Sequence, residues 1–341
     1  MLMVTGRNVL RASLLREDVE VVAINHTCAS VDDVVYLIEH DSTHGPLATV
    51  KHSGPPFQVS ALLNGDISIN GRRIALLSQR DVRQINWGLY GAETVAECTG
   101  KFTKTTLAKD HIEYGAAKKV IISAPSADAP AFVFKVNSAE YSAQNKPDVV
   151  SCASCTTNCV APIVKVINDS FGLDQGFVTT VHASTRSQSV LDGYSKRDRR
   201  SGRAVLGNII PTTTGAAKAI AHVLPALSGK LTGISIRVPT TNVSLVDLTV
   251  NTDKPTSLPE LLEAFRQASR TSLSGVLGVV DEELVSCDFL GNSCSAVIDA
   301  LACVELNSKF FKVVAWYDNE WAYPNRLLDL LSYIFQVDQA Q

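Results

Sequence analysis

The sequence predicts an α/β protein of two domains, and three observations carry that prediction. Short β-branched runs alternate with helical ones through the first third of the chain, as in "EVVAIN", "TVAECTG" at 94–100 and "KKVIISAPS" at 118–126. Alternation of this kind builds a parallel sheet with helices on both faces. After Cys155 the texture changes to long runs rich in Val, Ile and Thr: "GFVTTVHAST", "LTGISIRVPTTNVSLVDLTVNT" and "FFKVVAWYDN". These fit a mostly antiparallel sheet in a second, α+β domain. With 341 residues, the chain is long enough for two such cores.

Taken in order, the chain opens on a helical run, Arg7 to Arg16, with Leu10 and Leu14 one turn apart on a shared face. A strand follows from Val19 to Ile24. Helix then strand is the back half of a βαβ unit, whose first strand belongs before Gly6, where only five residues stand. Between Gly45 and Gly71, Gly-Pro-Pro and Asn-Gly signals point to hairpins or an excursion rather than a buried strand. "DVVS" is a strand that runs into small and hydroxyl residues, then into an apolar helix from Val160 to Ile167. The end, "NRLLDLLSYIFQV", reads as an amphipathic helix. No repeat or low-complexity linker appears. The expected domains are 1–154 and 155–320, closely packed, with the helix in 321–341 returning to the first.

Hydrophobic content of 45%, with 19% charged residues, is ordinary for a soluble globular protein. A net charge of -3 exerts no global pull on nucleic acid or anionic membrane. No apolar run approaches the ~18 to 20 residues of a spanning helix, and the first residues lack the features of a signal peptide. A cytoplasmic protein with no membrane partner is expected. Of the eight cysteines, Cys152, Cys155 and Cys159 crowd one stretch and five are scattered, which favours free thiols over disulfides. The one basic run, "SKRDRRSGR" at 195–203, is short and lacks interleaved aromatics. It suits a loop contacting phosphate or a neighbouring subunit better than a nucleic-acid patch.

Chemistry concentrates in "SCASCTTNCVAPIVKVI". Ser154 is a suitable N-cap, which puts Cys155 in the first turn of a helix. The partial positive charge there favours thiolate and depresses a cysteine pKa. Cys159, one turn on, reads as a buried apolar residue. The residues alone leave open that all three cysteines are small core side chains. A Cys pair at i, i+4 without further ligands does not indicate metal. A thiolate nucleophile needs a base, and His182 ends a strand-like run in "TTVHASTRSQ", although it is one of seven histidines. Arg237 stands in an apolar strand and wants an anionic partner, a carboxylate or a substrate phosphate. "IIPTTTGAAKAIAHVL" sets three threonines and Gly215 before a helix, either an anion cradle or an ordinary cap.

In combination, "ASCTTNC", "TTVHA", "NIIPTTTGAAKA", "RVPTTNVSLVDLTV" and "WYDNEWAY", with "HDSTHG" at 40–45 and "KVIISAPSADAP" at 119–130, resemble phosphorylating glyceraldehyde-3-phosphate dehydrogenase from about Gly6 to the end. The resemblance implies a Rossmann-type dinucleotide-binding domain, here without its first strand and glycine loop, followed by a catalytic domain. It implies reversible oxidation of D-glyceraldehyde 3-phosphate, with inorganic phosphate, to 1,3-bisphosphoglycerate, in glycolysis and gluconeogenesis. Cys155 would attack the aldehyde; His182 would hold the thiol ionised and act as base. The resulting thioester would be attacked by phosphate, which conserves the oxidation energy. Thr185 and Arg237 would hold the substrate phosphate, and Ser154, Thr156, Thr214 and Gly215 the attacking phosphate. Gly6, Arg7, His26, Arg80, Ser123 and Asn319 would contact the cofactor, Asn319 at the nicotinamide carboxamide. A homotetramer is implied, with 195–203 near a neighbour's cofactor.

Two departures from that family pattern bear on the cofactor. Met1 and Met3 fall where the first two glycines of Gly-x-Gly-x-x-Gly belong, and only the third, Gly6, has a counterpart. Loss of the central first strand would leave two neighbours with unpaired edges and the core with a gap. His26, 20 residues after Gly6, stands where an acidic residue should hold the adenosine ribose. With Tyr194 in place of an expected proline, this admits NADP beside NAD. Rival readings are a catalytically impaired paralogue kept for binding or assembly, and an erythrose-4-phosphate dehydrogenase. Regulation by oxidation of Cys155 is compatible with either.

Overall fold

The computed structural model describes residues 4–340, so the places of Met1 and Met3 lie outside it. The chain divides into two compact units. One comprises residues up to 132, 140–153 and 324 onward; the other comprises 133–139 and 154–323.

The first unit begins with α1 (Val4–Ser13), followed by β1 (Ala23–Asn25) and α2 (Val31–Glu39). The helix lies three residues earlier than the run Arg7 to Arg16 suggests. Its end is set by two local ties and one tertiary one: the Ser13 hydroxyl donates to Leu10 O, and Arg16 pairs with Asp18 at 2.7 Å and, from afar, with Asp329 at 2.5 Å. Strands β2 (Val59–Ala61) and β3 (Ile67–Ile69) form the hairpin expected between Gly45 and Gly71, and β3 then pairs with β4 (Arg72–Leu77). After β5 (Thr94–Glu97) come α3 (Thr105–Ala108), α4 (Asp110–Glu113), β6 (Lys119–Ile122) and β7 (Val149–Ser151).

These strands make two sheets rather than one. The first runs β1-β4-β3-β2, with β1 parallel to β4; the second is the all-parallel β5-β6-β7. Between the free edges of β1 and β5 lies a cavity of about 460 Å³, lined by residues 19–25 and 94–99. Val9 and Leu10 of α1 and Leu328, Leu331 and Phe335 also border it. One apolar cluster contains Ala23 and Leu77 together with Val95 and Val120, so both sheets share a core on that face. Among the described residues, β1 is shorter than the run Val19 to Ile24. With a partner on one edge only, three residues are held in ladder register.

The second unit opens with α5 (Cys155–Phe171), almost wholly buried, which leads into β8 (Leu173–Ala183). Gly172 ends the helix at φ +71, where an added Cβ would sit 2.5 Å from the Asp253 carboxylate. The unit continues with β9 (Ile210–Thr213), α6 (Ala216–Val223), β10 (Leu231–Val238), β11 (Ser244–Thr252) and α7 (Leu258–Arg270). It closes with β12 (Leu277–Val280), β13 (Ala296–Asp299), β14 (Val304–Asn307) and β15 (Phe310–Tyr317). Eight strands form one sheet in the order β12-β13-β15-β11-β8-β10-β9, with β14 also on β15. Only β8–β10 and β12–β13 are parallel, so the sheet is mostly antiparallel, as its sequence texture predicts. In β11 buried and half-buried residues alternate strictly, the mark of a sheet packed on one face. The helix α5 packs on β8, β11 and α6. The C-terminal helix α8 (Ala322–Gln339) belongs to the first unit from residue 324 onward, its apolar side bordering the cavity.

Candidate active site

Ser154 is the N-cap of α5, its hydroxyl accepting from Thr157 N at 3.1 Å, and Cys155 is the first helical residue. Ala153 before it adopts φ 56, a left-handed turn between β7 and the helix. His182, near the end of β8, brings Nε2 to 3.6 Å from the Cys155 sulfur. The contact is made because β8 runs antiparallel to β11 through the middle of the sheet, beneath the helix that carries the cysteine. Cys159 is fully buried, as an apolar residue one turn into the helix should be. None of the eight cysteines is in a disulfide.

Arg237 lies opposite His182 in the parallel β8–β10 ladder. The strand does not supply it with a carboxylate. One terminal nitrogen sits 2.6 Å from His182 Nδ1 and 3.1 Å from Ala183 O, while the buried Nε has no partner. His182 Nδ1 is also 2.8 Å from Ala183 O. Burial, then the charge on Arg237, push the imidazole down to about 3, so the ring is neutral at physiological pH. Burial also pushes the Cys155 thiol up, and the Arg237 charge offsets this only in part. Burial thus works against the depression of the thiol expected from the helix N-terminus.

The remaining residues of the expected site divide into two groups. Asn319 is buried, its Oδ1 accepting from the Ser244 hydroxyl at 2.7 Å, and Ser244 Oγ in turn accepts from Ala183 N at 3.0 Å. The amide orientation of Asn319 is thus tied to the backbone beside His182. Thr185 follows β8 in a loop where its hydroxyl bonds Ser187 and Gln188. Thr156 spends its hydroxyl on Tyr317 at 2.9 Å, and its backbone N–H is within hydrogen-bonding reach of the Cys155 sulfur. Thr214 accepts from Ala216 N, and Gly215 is the N-cap of α6. Because Thr213 pairs with Ile234, this turn lies three residues along β10 from Arg237, about 10 Å at the rise of a strand.

Tyr317 and Ser244 have roles that the residue patterns do not single out. The Tyr317 hydroxyl joins Thr156 on α5 to Thr180 on β8, each at 2.9 Å, and its ring meets His182 edge-on. Both lie inside quoted stretches, "WYDNEWAY" and "TTNVSLVDL". Alternation from the neighbouring apolar residues is the signal that puts them on the packed face.

In the first unit, Gly6 borders the cavity and Arg7 is paired with Asp41 at 3.3 Å. His26 is buried, its Nδ1 accepting from Cys28 N at 3.1 Å, and burial lowers its pKa. It therefore presents neither the expected carboxylate nor a positive charge. Arg80 is exposed at the rim of the cavity, and Ser123 follows β6 with its N–H on Glu97 O. Doubly wound sheets bind dinucleotides outside the carboxyl ends of their strands. The groups found there (Thr99, Ser123, Arg80 and backbone N–H) suit a phosphate- and ribose-bearing ligand in kind.

Comparison with known sequences agrees with both units. Residues 4–105 match the family profile described as glyceraldehyde 3-phosphate dehydrogenase, NAD binding domain, and residues 154–319 match its C-terminal domain. The chain belongs to the glyceraldehyde-3-phosphate dehydrogenase family. It is 50% identical over 335 residues to glyceraldehyde-3-phosphate dehydrogenase 1 of Mucor circinelloides f. lusitanicus, covering 98% of this chain and 96% of the relative. A cytosolic glyceraldehyde-3-phosphate dehydrogenase of Chlamydomonas reinhardtii is 47% identical, with 96% and 93% covered. A chloroplastic one of Arabidopsis thaliana is also 47% identical, with 96% and 75% covered. As a member of the glyceraldehyde-3-phosphate dehydrogenase family, the chain is an oxidoreductase that works with a nicotinamide dinucleotide. Among the described residues, no helix is long and apolar enough to cross a membrane.

Proposed function

We propose that this chain oxidatively phosphorylates D-glyceraldehyde 3-phosphate through a covalent intermediate on Cys155. The observation that carries the reading is the 3.6 Å approach of the Cys155 sulfur to His182 Nε2, beside a buried guanidinium without a carboxylate partner. Cys155 Sγ adds to the aldehyde carbon, and the sulfhydryl proton ends on the former carbonyl oxygen. His182 Nε2 takes that hydroxyl proton as the carbon is oxidised to a thioester. When bound, the dinucleotide supplies the nicotinamide ring that accepts the hydride. Inorganic phosphate then attacks the acyl carbon and Cys155 leaves as thiolate, to be reprotonated. The backbone N–H of Cys155, which has no intrahelical acceptor, faces the oxygen on which charge develops. Arg237 and Thr185 hold the substrate phosphate; Ser154, Thr156, Thr214 and Gly215 hold the attacking one. The first unit, with Gly6, Arg7, His26, Arg80 and Ser123, holds the dinucleotide, and Asn319 offers its amide N–H to the carboxamide.

Both NAD and NADP are accepted in this reading, because β1 ends without the carboxylate that would repel a 2′-phosphate. A cytoplasmic homotetramer, with 195–203 near a neighbour's cofactor, completes the proposal. A second reading, that of a binding or assembly protein, is favoured by the cavity between β1 and β5. Calorimetric titration with NAD and with NADP, paired with assays of Cys155→Ser and His182→Asn, separates them. The enzyme reading expects binding of a dinucleotide, activity abolished in the first variant and reduced about 10²- to 10⁴-fold in the second. A folded sample that binds neither dinucleotide and turns over no aldehyde would establish the second reading. Affinity for NADP far below that for NAD would sink dual use.

A further inference from the structure

We infer that Ser244 is a positioning residue for the dinucleotide: it holds the Asn319 amide with its nitrogen end outward, so that this point of the site is a donor and takes the carbonyl end of a carboxamide. The inference rests on the reading above in taking Asn319 as the partner of the nicotinamide carboxamide.

Position comes first. Ser244 opens β11 and stands opposite Tyr317, the last residue of β15, in the antiparallel ladder. Asn319 follows two residues later, in the turn between β15 and α8. That turn is held by the buried carboxylate of Asp318. Its Oδ1 accepts from Asn242 Nδ2 at 2.6 Å, Glu320 N at 2.9 Å and Trp321 N at 2.8 Å, and its Oδ2 from Gly291 N at 2.8 Å. With the backbone pinned before and after it, Asn319 is left with the rotation of its own side chain.

Ser244 removes that freedom. A hydroxyl has one hydrogen to give and two lone pairs to receive. One lone pair is taken by Ala183 N at 3.0 Å, and the hydrogen goes to Asn319 Oδ1 at 2.7 Å. Among the described residues, that hydrogen has no other acceptor. Turning the amide over would set Nδ2 against the hydroxyl and leave the hydroxyl hydrogen unmet in the interior, where Ser244 is 1% exposed. The two ends of an amide are alike in size, so hydrogen bonding rather than shape decides between them.

The outward end is then a nitrogen. Asn319 Nδ2 has no partner among the described residues, although only 9% of the residue is exposed. A buried donor in that state calls for an oxygen from a ligand. A carboxamide has two unlike ends, a C=O that accepts and an NH2 that donates, and an asparagine free to turn could meet either. Held nitrogen-outward, it pairs with the carbonyl end alone. Ser244 therefore decides which way round the carboxamide binds, and with it the rotation of the ring that carries it.

The test is calorimetric titration of the full chain with two dinucleotides. In 3-acetylpyridine adenine dinucleotide the ring substituent has a carbonyl and no N–H; in 3-aminopyridine adenine dinucleotide it has N–H and no carbonyl. Wild type should bind the acetyl compound about tenfold more tightly, since two donors meet in the other complex. Ser244→Ala frees the amide to turn, so affinity for the amino compound should rise about fivefold, a gain that damage to the fold does not produce. Should the alanine variant fail to fold, Ser244→Cys, whose thiol is a weak donor, takes its place. Equal binding of the two compounds by wild type, or no gain in the folded variant, would overturn the inference and leave the reading above in place. Asn319→Ala isolates that reading. A tenfold preference that survives there would remove Asn319 from the carboxamide, and a wild type that binds no dinucleotide would remove the reading and the inference together.

Discussion

In the second unit, β8 is hydrogen-bonded on both edges, to β10 and to β11, along nearly its whole length. In the first, β1 has β4 on one edge and a cavity of about 460 Å³ on the other. The difference is instructive because both units draw on similar residues, Val, Ile and Ala in short apolar runs. What separates them is whether each strand finds two neighbours. Where it does, eight strands hold Cys155, His182, Arg237 and Asn319 within one connected set of contacts. Where it does not, the strands are short and the sheet is split.

Native-state hydrogen exchange should show the largest contrast. Alternate amides of 23–25 and 94–97, those turned away from β4 and β6, open toward the cavity, whereas those at 178–181 and 246–250 lie in ladders on both sides. The first set should exchange at least about a thousandfold faster, some 4 kcal/mol of opening free energy. Equal protection would mean that the cavity is closed in solution.

Paired truncations sharpen the same comparison. Leu248 is fully buried in β11, and Leu248→Ala should cost about 2 to 5 kcal/mol by denaturant unfolding. Leu328 is equally buried but borders the existing void. Its truncation enlarges a cavity already formed, so Leu328→Ala should cost less, by about 2 kcal/mol. The reverse order would show that the first unit is the better packed.

A smaller effect concerns pH. His182 falls from its ordinary 6.5 to about 3 in the folded chain. Between those values the unfolded state binds the extra proton, so acidification favours unfolding. Stability contributed by the neutral ring is complete above pH 6.5. It declines toward pH 3, by at most about 1.4 kcal/mol per pH unit. His182→Asn should flatten that slope in the second unit; an unchanged slope would assign it to other groups.

Much of the active site is legible from local chemistry. Ser154 followed by a helical run places its N-cap, and with it Cys155 at the helix start, because a cap is an interaction among four successive residues. Arg237 in an apolar strand announces an unmet charge. The identity of its partner is another matter, since that depends on β10 lying parallel to β8 and setting Arg237 opposite His182. Tyr317 escapes notice for the same reason. Its hydroxyl matters only because β15, β8 and α5 converge on it. The end of α1 is likewise decided from afar, by Asp329.

By itself, the sequence determined the order and class of the elements, the two-part organisation and the cysteine at its helix cap. These rest on periodicity, β-branching and capping, which act over a few residues. Only the tertiary structure decided the split of the first sheet, the upward push on the Cys155 thiol and the downward one on the His182 imidazole, and the contact of Arg237 with that ring. Each of these depends on desolvation or on pairing between residues far apart in the chain, and neither is set until the strands have found their neighbours.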